Sequence, residues 1–164
     1  MGFVKGVTVQ GKRIFYRFIL FALLGLVFEV FGGAFWQLRH GNWNLHGSSS
    51  PWMMLDYGLL GVLLLPMSRP MIKRGVALPF RAVVYMLAIF AVEFLSGWIF
   101  DLCGLEIWVY RDRFNLCGYI TASFIPCWYV LGLAAEFLHR RIDAMALVLA
   151  LRIPAEDLVG INEK

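Results

Sequence analysis

The chain has 164 residues, 60% of them hydrophobic and 16% charged, with a formal net charge of +4 and a mean hydropathy of +0.71. That leaves too little polar surface for a soluble domain of this length. The positive balance accompanies long apolar runs, so it points to the anionic lipid of a membrane and away from nucleic acid.

Residues 1–13 read as a short, flexible basic tail. Within it "GVTVQGKR" (6–13) fits the first seven positions of a G-x-x-x-x-G-K phosphate loop. Arg13 stands where Ser or Thr would hold magnesium, and no strand–helix unit surrounds it, so the match is set aside. Residues 14–36 are apolar for long enough to cross a hydrocarbon core about 30 Å thick. This run is too long for a removable signal peptide and lacks a small-x-small cleavage site, so it is expected to stay as a signal anchor. The loop 37–51 (QLRHGNWNLHGSSSP) has an interfacial composition. His40 and His46 lie in it without a nearby acid or cysteine, so no metal site is expected there. A shorter apolar run, 52–67, makes a second span at the low end of the length range. The connector 68–81 is basic and broken by Pro70 and Pro79. A third span covers 82–102. The aromatic and charged segment 103–117 belongs at the membrane surface, and a fourth span covers 118–138.

Residues 144–153 (AMALVLALRI) are apolar but too few to span, and Pro154 ends them. They predict a short helix lying in the inner interface, followed by a polar tail. Continuous apolar runs exclude the alternation of a β-barrel, and helices satisfy their own backbone in lipid. The expected fold is therefore an all-α integral membrane protein with four transmembrane helices. It forms one membrane domain over 1–164, with a cytoplasmic interfacial helix and tail over 142–164.

Basic residues set the orientation. Lys5, Lys12, Arg13 and Arg17 precede the first span, and Arg69, Lys73, Arg74 and Arg81 lie between the second and third. Arg140, Arg141, Arg152 and Lys164 follow the fourth, while only Arg39, Arg111 and Arg113 fall on the other side. This bias places both termini in the cytoplasm, in a plasma or bacterial inner membrane.

Two spans carry an acid inside an apolar run: Glu29 in "GLVFEVFGG" and Glu93 in "FAVEFLSGW". Each is followed by small residues (Gly32–Gly33; Ser96–Gly97), then an aromatic (Trp36; Phe100), a loop Trp (Trp43; Trp108) and a Gly before the returning helix (Gly47; Gly118). The pattern predicts two helical hairpins related as parallel repeats, an arrangement that puts shared sites at the interface. A charged carboxylate at mid-membrane costs several kcal/mol. It is tolerated facing the bundle interior, protonated, or paired. No Lys or Arg lies mid-span to pair with Glu29, Glu93 or Asp56. Glu29 and Glu93 are therefore expected to face inward, with the adjacent small residues letting helices approach. Glu136 sits one turn from His139–Arg140 and should reach water or a cation.

Cys103 and Cys117 bracket the second outer segment, and Cys127 lies in span four. The absence of C-x-x-C argues against zinc. A Cys103–Cys117 disulfide is possible in an oxidising compartment, and small buried apolar residues is the other reading.

"GNWNLHGSSSPWMMLDYGLLGVLLLPM" (41–67) is similar to the glycine-loop, W-M, then Y-G pattern of small four-span proteins typified by transmembrane protein 229. These are related to the bacterial CmpB-like family described as "putative ABC-transporter type IV". "IWVYRDRFNLCGYITASFIPCWYVLGLAAE" (107–136) resembles their W-x-Y, N-x-x-G-x-I, W-x-x-x-G pattern at Trp108, Tyr110, Asn115, Gly118, Ile120, Trp128 and Gly132. The resemblance covers roughly 14–138 and implies a four-helix integral membrane protein; its transporter label carries no chemistry here, since these residues hold no complete phosphate loop. Asp56 departs from it, because an apolar residue usually precedes that Tyr-Gly.

The expected function is a small membrane transport or binding protein, not an enzyme and without a cofactor. Its outward-facing polar pocket would be lined by Glu29, Asp56, Tyr57, Glu93 and Asn115, and would take a proton or a small cationic ligand. The alternative is a non-catalytic accessory or assembly subunit of a membrane complex, its acids pinning helices. Expected partners are membrane lipid, and a homo-oligomer or larger membrane complex.

Overall fold

The computed structural model describes residues 2–159, with side chains described for 8–158. The tail expected at 160–164, Lys164 included, lies outside the described residues, as does the side chain of Lys5. Four long helices carry the fold: α1 (Gly2–Arg39), α2 (Met53–Lys73), α3 (Leu78–Leu102) and α4 (Ile125–Leu151). A two-residue antiparallel hairpin, β1 (Asn115–Leu116) with β2 (Ile120–Thr121), and one 3-10 turn at Ala122–Phe124 lead into α4. A five-residue α5 (Ala155–Val159) follows Pro154.

Among the described residues, three helical stretches are long and apolar enough to cross a membrane: Thr8–Arg39, Leu78–Leu102 and Ala122–Leu151. Phe31, Phe35, Phe80, Leu102 and Phe137 stand exposed on them, as suits side chains that face lipid rather than water. The protein is an integral membrane helical bundle. At 21 residues α2 is long enough to cross, but Asp56, Arg69, Pro66 and Pro70 interrupt its apolar run and it is not one of those three stretches.

The helices begin and end where local chemistry predicts. Prolines occupy the first turns of α3 and α4, where no helical N–H is lost. α2 and α3 close on Gly75 (φ 70°) and Gly104 (φ 72°), left-handed positions that a glycine adopts without strain. At the end of α4 the same left-handed turn is made by Arg152 (φ 56°), whose N–H donates to the Leu149 carbonyl at 3.2 Å.

α1 packs most extensively on α2 and then on α4, and α3 packs chiefly on α4. Contact numbering descends along each pair, so these neighbours are antiparallel. A Cβ on Gly25 would overlap the Tyr57 ring, one on Gly58 the Phe18 ring, and one on Gly61 would stand 2.7 Å from the Arg17 carbonyl. Small residues on α2 thus admit large side chains of α1, and Gly25 repays the relation. A core of Phe21, Leu64, Tyr85, Ala135 and Ile142 joins all four helices.

Three expectations change. Residues 2–13 are the first turns of α1 rather than a flexible tail, so the "GVTVQGKR" stretch is helical and forms no phosphate loop. The apolar segment 144–153 is the end of α4 up to Leu151, not a separate interfacial helix. Ile142, Asp143, Ala146 and Ala150 form a buried stripe at helical spacing there, and burial against the bundle outweighs the interface. The fourth helix begins at Ile125 rather than 118, because residues 115–124 form the hairpin and turn.

Candidate functional site

At the loop-bearing end of the bundle, α1 to α4 and both loops enclose a cavity of about 310 Å³. Glu29 (α1), Asp56 and Tyr57 (α2) and Glu93 (α3) all line it. Ser48, Ser49 and Ser50 border it from the first loop, and Trp108 and Tyr110 from the second. Phe124 and Trp128 add the aromatic wall at the start of α4. Leu60, Ile89, Val92 and Leu131 supply aliphatic surface. Among the described residues, no Lys, Arg or His lines it.

The acids are held differently. Glu29 Oε1 accepts a hydrogen bond from Tyr57 OH at 2.6 Å, tying α1 to α2. Glu93 is 8% exposed. Its Oε1 accepts from Tyr110 OH at 2.6 Å and its Oε2 from Trp128 Nε1 at 3.0 Å, which ties α3 to the second loop and α4. Both oxygens of Asp56 are enclosed, and among the described residues neither has a hydrogen-bond partner. Neighbouring Ser96 gives its hydroxyl to its own helix instead, 2.8 Å from the Val92 carbonyl. A buried polar group without a partner costs about 1–3 kcal/mol, more if charged.

Asn115 stands apart from the cavity. It is exposed in the hairpin, where its Oδ1 accepts the Gly118 N–H at 3.1 Å and its Nδ2 donates to the Asp112 carbonyl. Its role is to close the turn that Gly118 (φ 78°) completes. Asp112 organises the same loop, accepting from Thr121 Oγ1 and Ser123 Oγ, each at 2.7 Å. Those hydroxyls, Ser123 first, hold its carboxyl below the ordinary 3.8. Trp108 Nε1 donates to the Tyr119 carbonyl at 2.9 Å, which fixes the indole at the cavity edge.

Gly33 and Gly97 do not join helix to helix, although their spacing suggests that they would. A Cβ on Gly33 would sit 3.2 Å from Gly47 Cα in the first loop, and one on Gly97 3.1 Å from Tyr119 in the second. They seat the two loops that roof the cavity. Cys103 and Cys117 are exposed and Cys127 is half-buried; all three are free thiols, so the Cys103–Cys117 link is not formed here. Each loop cysteine is placed by local backbone bonding: Cys103 N–H caps α3 on the Ile99 and Phe100 carbonyls, and Cys117 takes the left-handed turn position (φ 55°). His40 bonds the Trp36 carbonyl through Nδ1 at 2.8 Å and its ring lies 4.1 Å from that of Trp36. Among the described residues, no group of His, Cys, Asp or Glu is placed to hold a metal ion.

The other end of the bundle is closed by two ionic clamps on α4. Asp143 takes Arg13 and Arg17 of α1; Arg17 Nη1 lies 3.0 Å away, and its side chain is 3% exposed. Arg17 also donates to the Gly61 carbonyl. Glu136 finds its cation in Arg81 of α3, through bonds of 2.9 and 2.5 Å, and accepts from Tyr85 OH at 2.5 Å. The sequence leads one to expect water or a cation beside Glu136, but nothing around Asp143 marks its two arginine partners.

An apolar helical bundle with an acid-lined cavity at one end and paired charges at the other is a small integral membrane protein. Residues 15–155 match the CmpB family, described as "Putative ABC-transporter type IV", and the chain belongs to that family. No solved structure matches the chain.

Proposed function

We propose that the protein is a small transport or binding protein of a cell membrane, with Glu29, Asp56, Tyr57 and Glu93 forming an outward-facing site for a proton or a small cation. Four spans, read as two parallel hairpins, put both termini in the cytoplasm and open the cavity to the outside. One observation carries the reading: three acids from three helices share a cavity that no described basic side chain neutralises. Enclosed carboxylates in that setting favour uptake of positive charge, either as protons or as a ligand that displaces them. Tyr57, Tyr110 and Trp128 hold Glu29 and Glu93 in place, so the site is preorganised. Asn115 positions the second loop and has no part in the binding.

The same three bonds favour a second reading, an assembly subunit whose acids serve only to join helices. Glu29→Gln and Glu93→Gln separate the two, since the amide oxygen can still accept from Tyr57 at position 29 and from Trp128 at position 93, where the amide NH2 can donate to the Tyr110 hydroxyl oxygen. In lipid nanodiscs, cation titration of the wild type should release protons, seen as a heat that depends on buffer ionisation enthalpy. The Gln variants should fold and lose that release. Proton release identical in wild type and both variants would leave Glu29 and Glu93 only the structural role.

A further inference from the structure

The walls of the cavity restrict what cation it suits, given the reading above on which this inference rests. Inorganic cations need several oxygens converging at about 2.0–2.6 Å. Here three carboxylate oxygens are already engaged: one of Glu29 by Tyr57, and both of Glu93 by Tyr110 and Trp128. Among the described residues, no three acids converge as metal ligands. A cavity of about 310 Å³ is also far larger than a bare ion and falls at the lower end of small-molecule pockets.

The aromatic groups point the other way. Phe124 lies between Tyr110 and Trp128, with ring centroids 5.3 Å from each. Tyr110 and Trp128 give their polar edges to Glu93, and all three rings border the cavity together with that carboxylate. Aromatic faces attract cations whose charge is spread beneath carbon, and most strongly out of water. Leu60, Ile89, Val92 and Leu131 give alkyl groups an apolar surface. A second observation stands apart from these rings: both oxygens of Asp56 are enclosed beside the cavity, with no described basic side chain lining it to counter them. That unmet demand is one for a positive charge.

We infer that the cavity takes a small organic ammonium ion, alkylated or aryl-substituted, cradled by Tyr110, Phe124 and Trp128 and countered by Asp56. An amine of this kind needs no convergent oxygen cage. It gains from every feature of the wall.

The test uses the full chain in lipid nanodiscs and calorimetric titration with phenyltrimethylammonium and tetraethylammonium. Sodium, calcium and neutral benzyl alcohol serve as comparisons, and empty discs as the blank. Saturable binding of the ammonium ions over the blank is expected, with benzyl alcohol and the metal ions at least about tenfold weaker. Phe124→Leu removes a ring that makes no hydrogen bond, and should weaken phenyltrimethylammonium about fivefold or more. Phe124→Trp should restore it. Asp56→Asn should weaken it about tenfold or more. Thermal unfolding close to wild type confirms that each variant is folded. Ammonium binding equal to the blank, or unchanged in both Phe124→Leu and Asp56→Asn, overturns the inference. Should sodium or calcium bind more tightly and depend on Asp56, the ammonium inference falls while the cation site stands. Should no cation bind and no proton be released, both fall.

Discussion

Asp143→Ala tests the clamp that closes the bundle opposite the cavity. Asp143 neutralises two guanidinium groups of α1, and the Arg17 side chain is 3% exposed. Removing the carboxylate strands a buried cation, because the Gly61 carbonyl remains as the partner of Arg17 Nε but carries no charge. Breaking one side of a buried pair costs about 3–5 kcal/mol. For a protein of this size that corresponds to a fall in midpoint on the order of 10 °C. The Arg111–Glu106 pair supplies the control, at 3.6 Å with side chains 83% and 71% exposed. Glu106→Ala should cost no more than about 1 kcal/mol. Thermal unfolding in one detergent, followed by Trp fluorescence, compares the two. A compensated variant (Arg13→Met, Arg17→Met, Asp143→Leu) should recover most of the loss, since a whole buried ionic cluster is often replaceable by apolar groups. Asp143→Ala melting together with Glu106→Ala would refute the clamp.

Gly61→Val should loosen α1 from α2, because its Cβ would stand 2.7 Å from the Arg17 carbonyl and 3.0 Å from the Phe21 ring; a loss of about 1–3 kcal/mol is expected in the same melt. Asp112 sets a pH response in the second loop. Its carboxyl is held below 3.8 in the folded chain, so its contribution is complete above the unfolded value and is lost as pH falls through the lowered one. Hydrogen-exchange protection over 110–123, corrected for intrinsic rates, should stay level down to about pH 4 and then fall, and Asp112→Asn should abolish that step. For topology, Ser49→Cys should react with an impermeant thiol reagent from outside and Lys73→Cys only after permeabilisation, in a background without the native cysteines. Labelling of both from one side would exclude the proposed orientation.

Hydropathy and charge alone determined that this is an integral membrane helical protein and where its apolar stretches lie, because lipid demands long apolar segments with internally satisfied backbones. The cost of a carboxylate in hydrocarbon singled out Glu29, Asp56 and Glu93 before any contact was known. The motif resemblance had marked Trp108, Tyr110 and Trp128 as pattern positions without giving them a task. Their task is tertiary: which donor reaches which acid depends on how the second loop folds back over α3, and Asn115 and Tyr110, five residues apart, end on different sides of that decision. The end of α4 departs from what its hydropathy suggests for a related reason. Ten apolar residues are too short to span, but hydropathy does not record that Asp143 beside them has two arginines of α1 as partners. Local composition reports what a segment tolerates. Only packing decides which partner it meets, because contacts between residues 126 and 130 positions apart leave no mark in the sequence around either one.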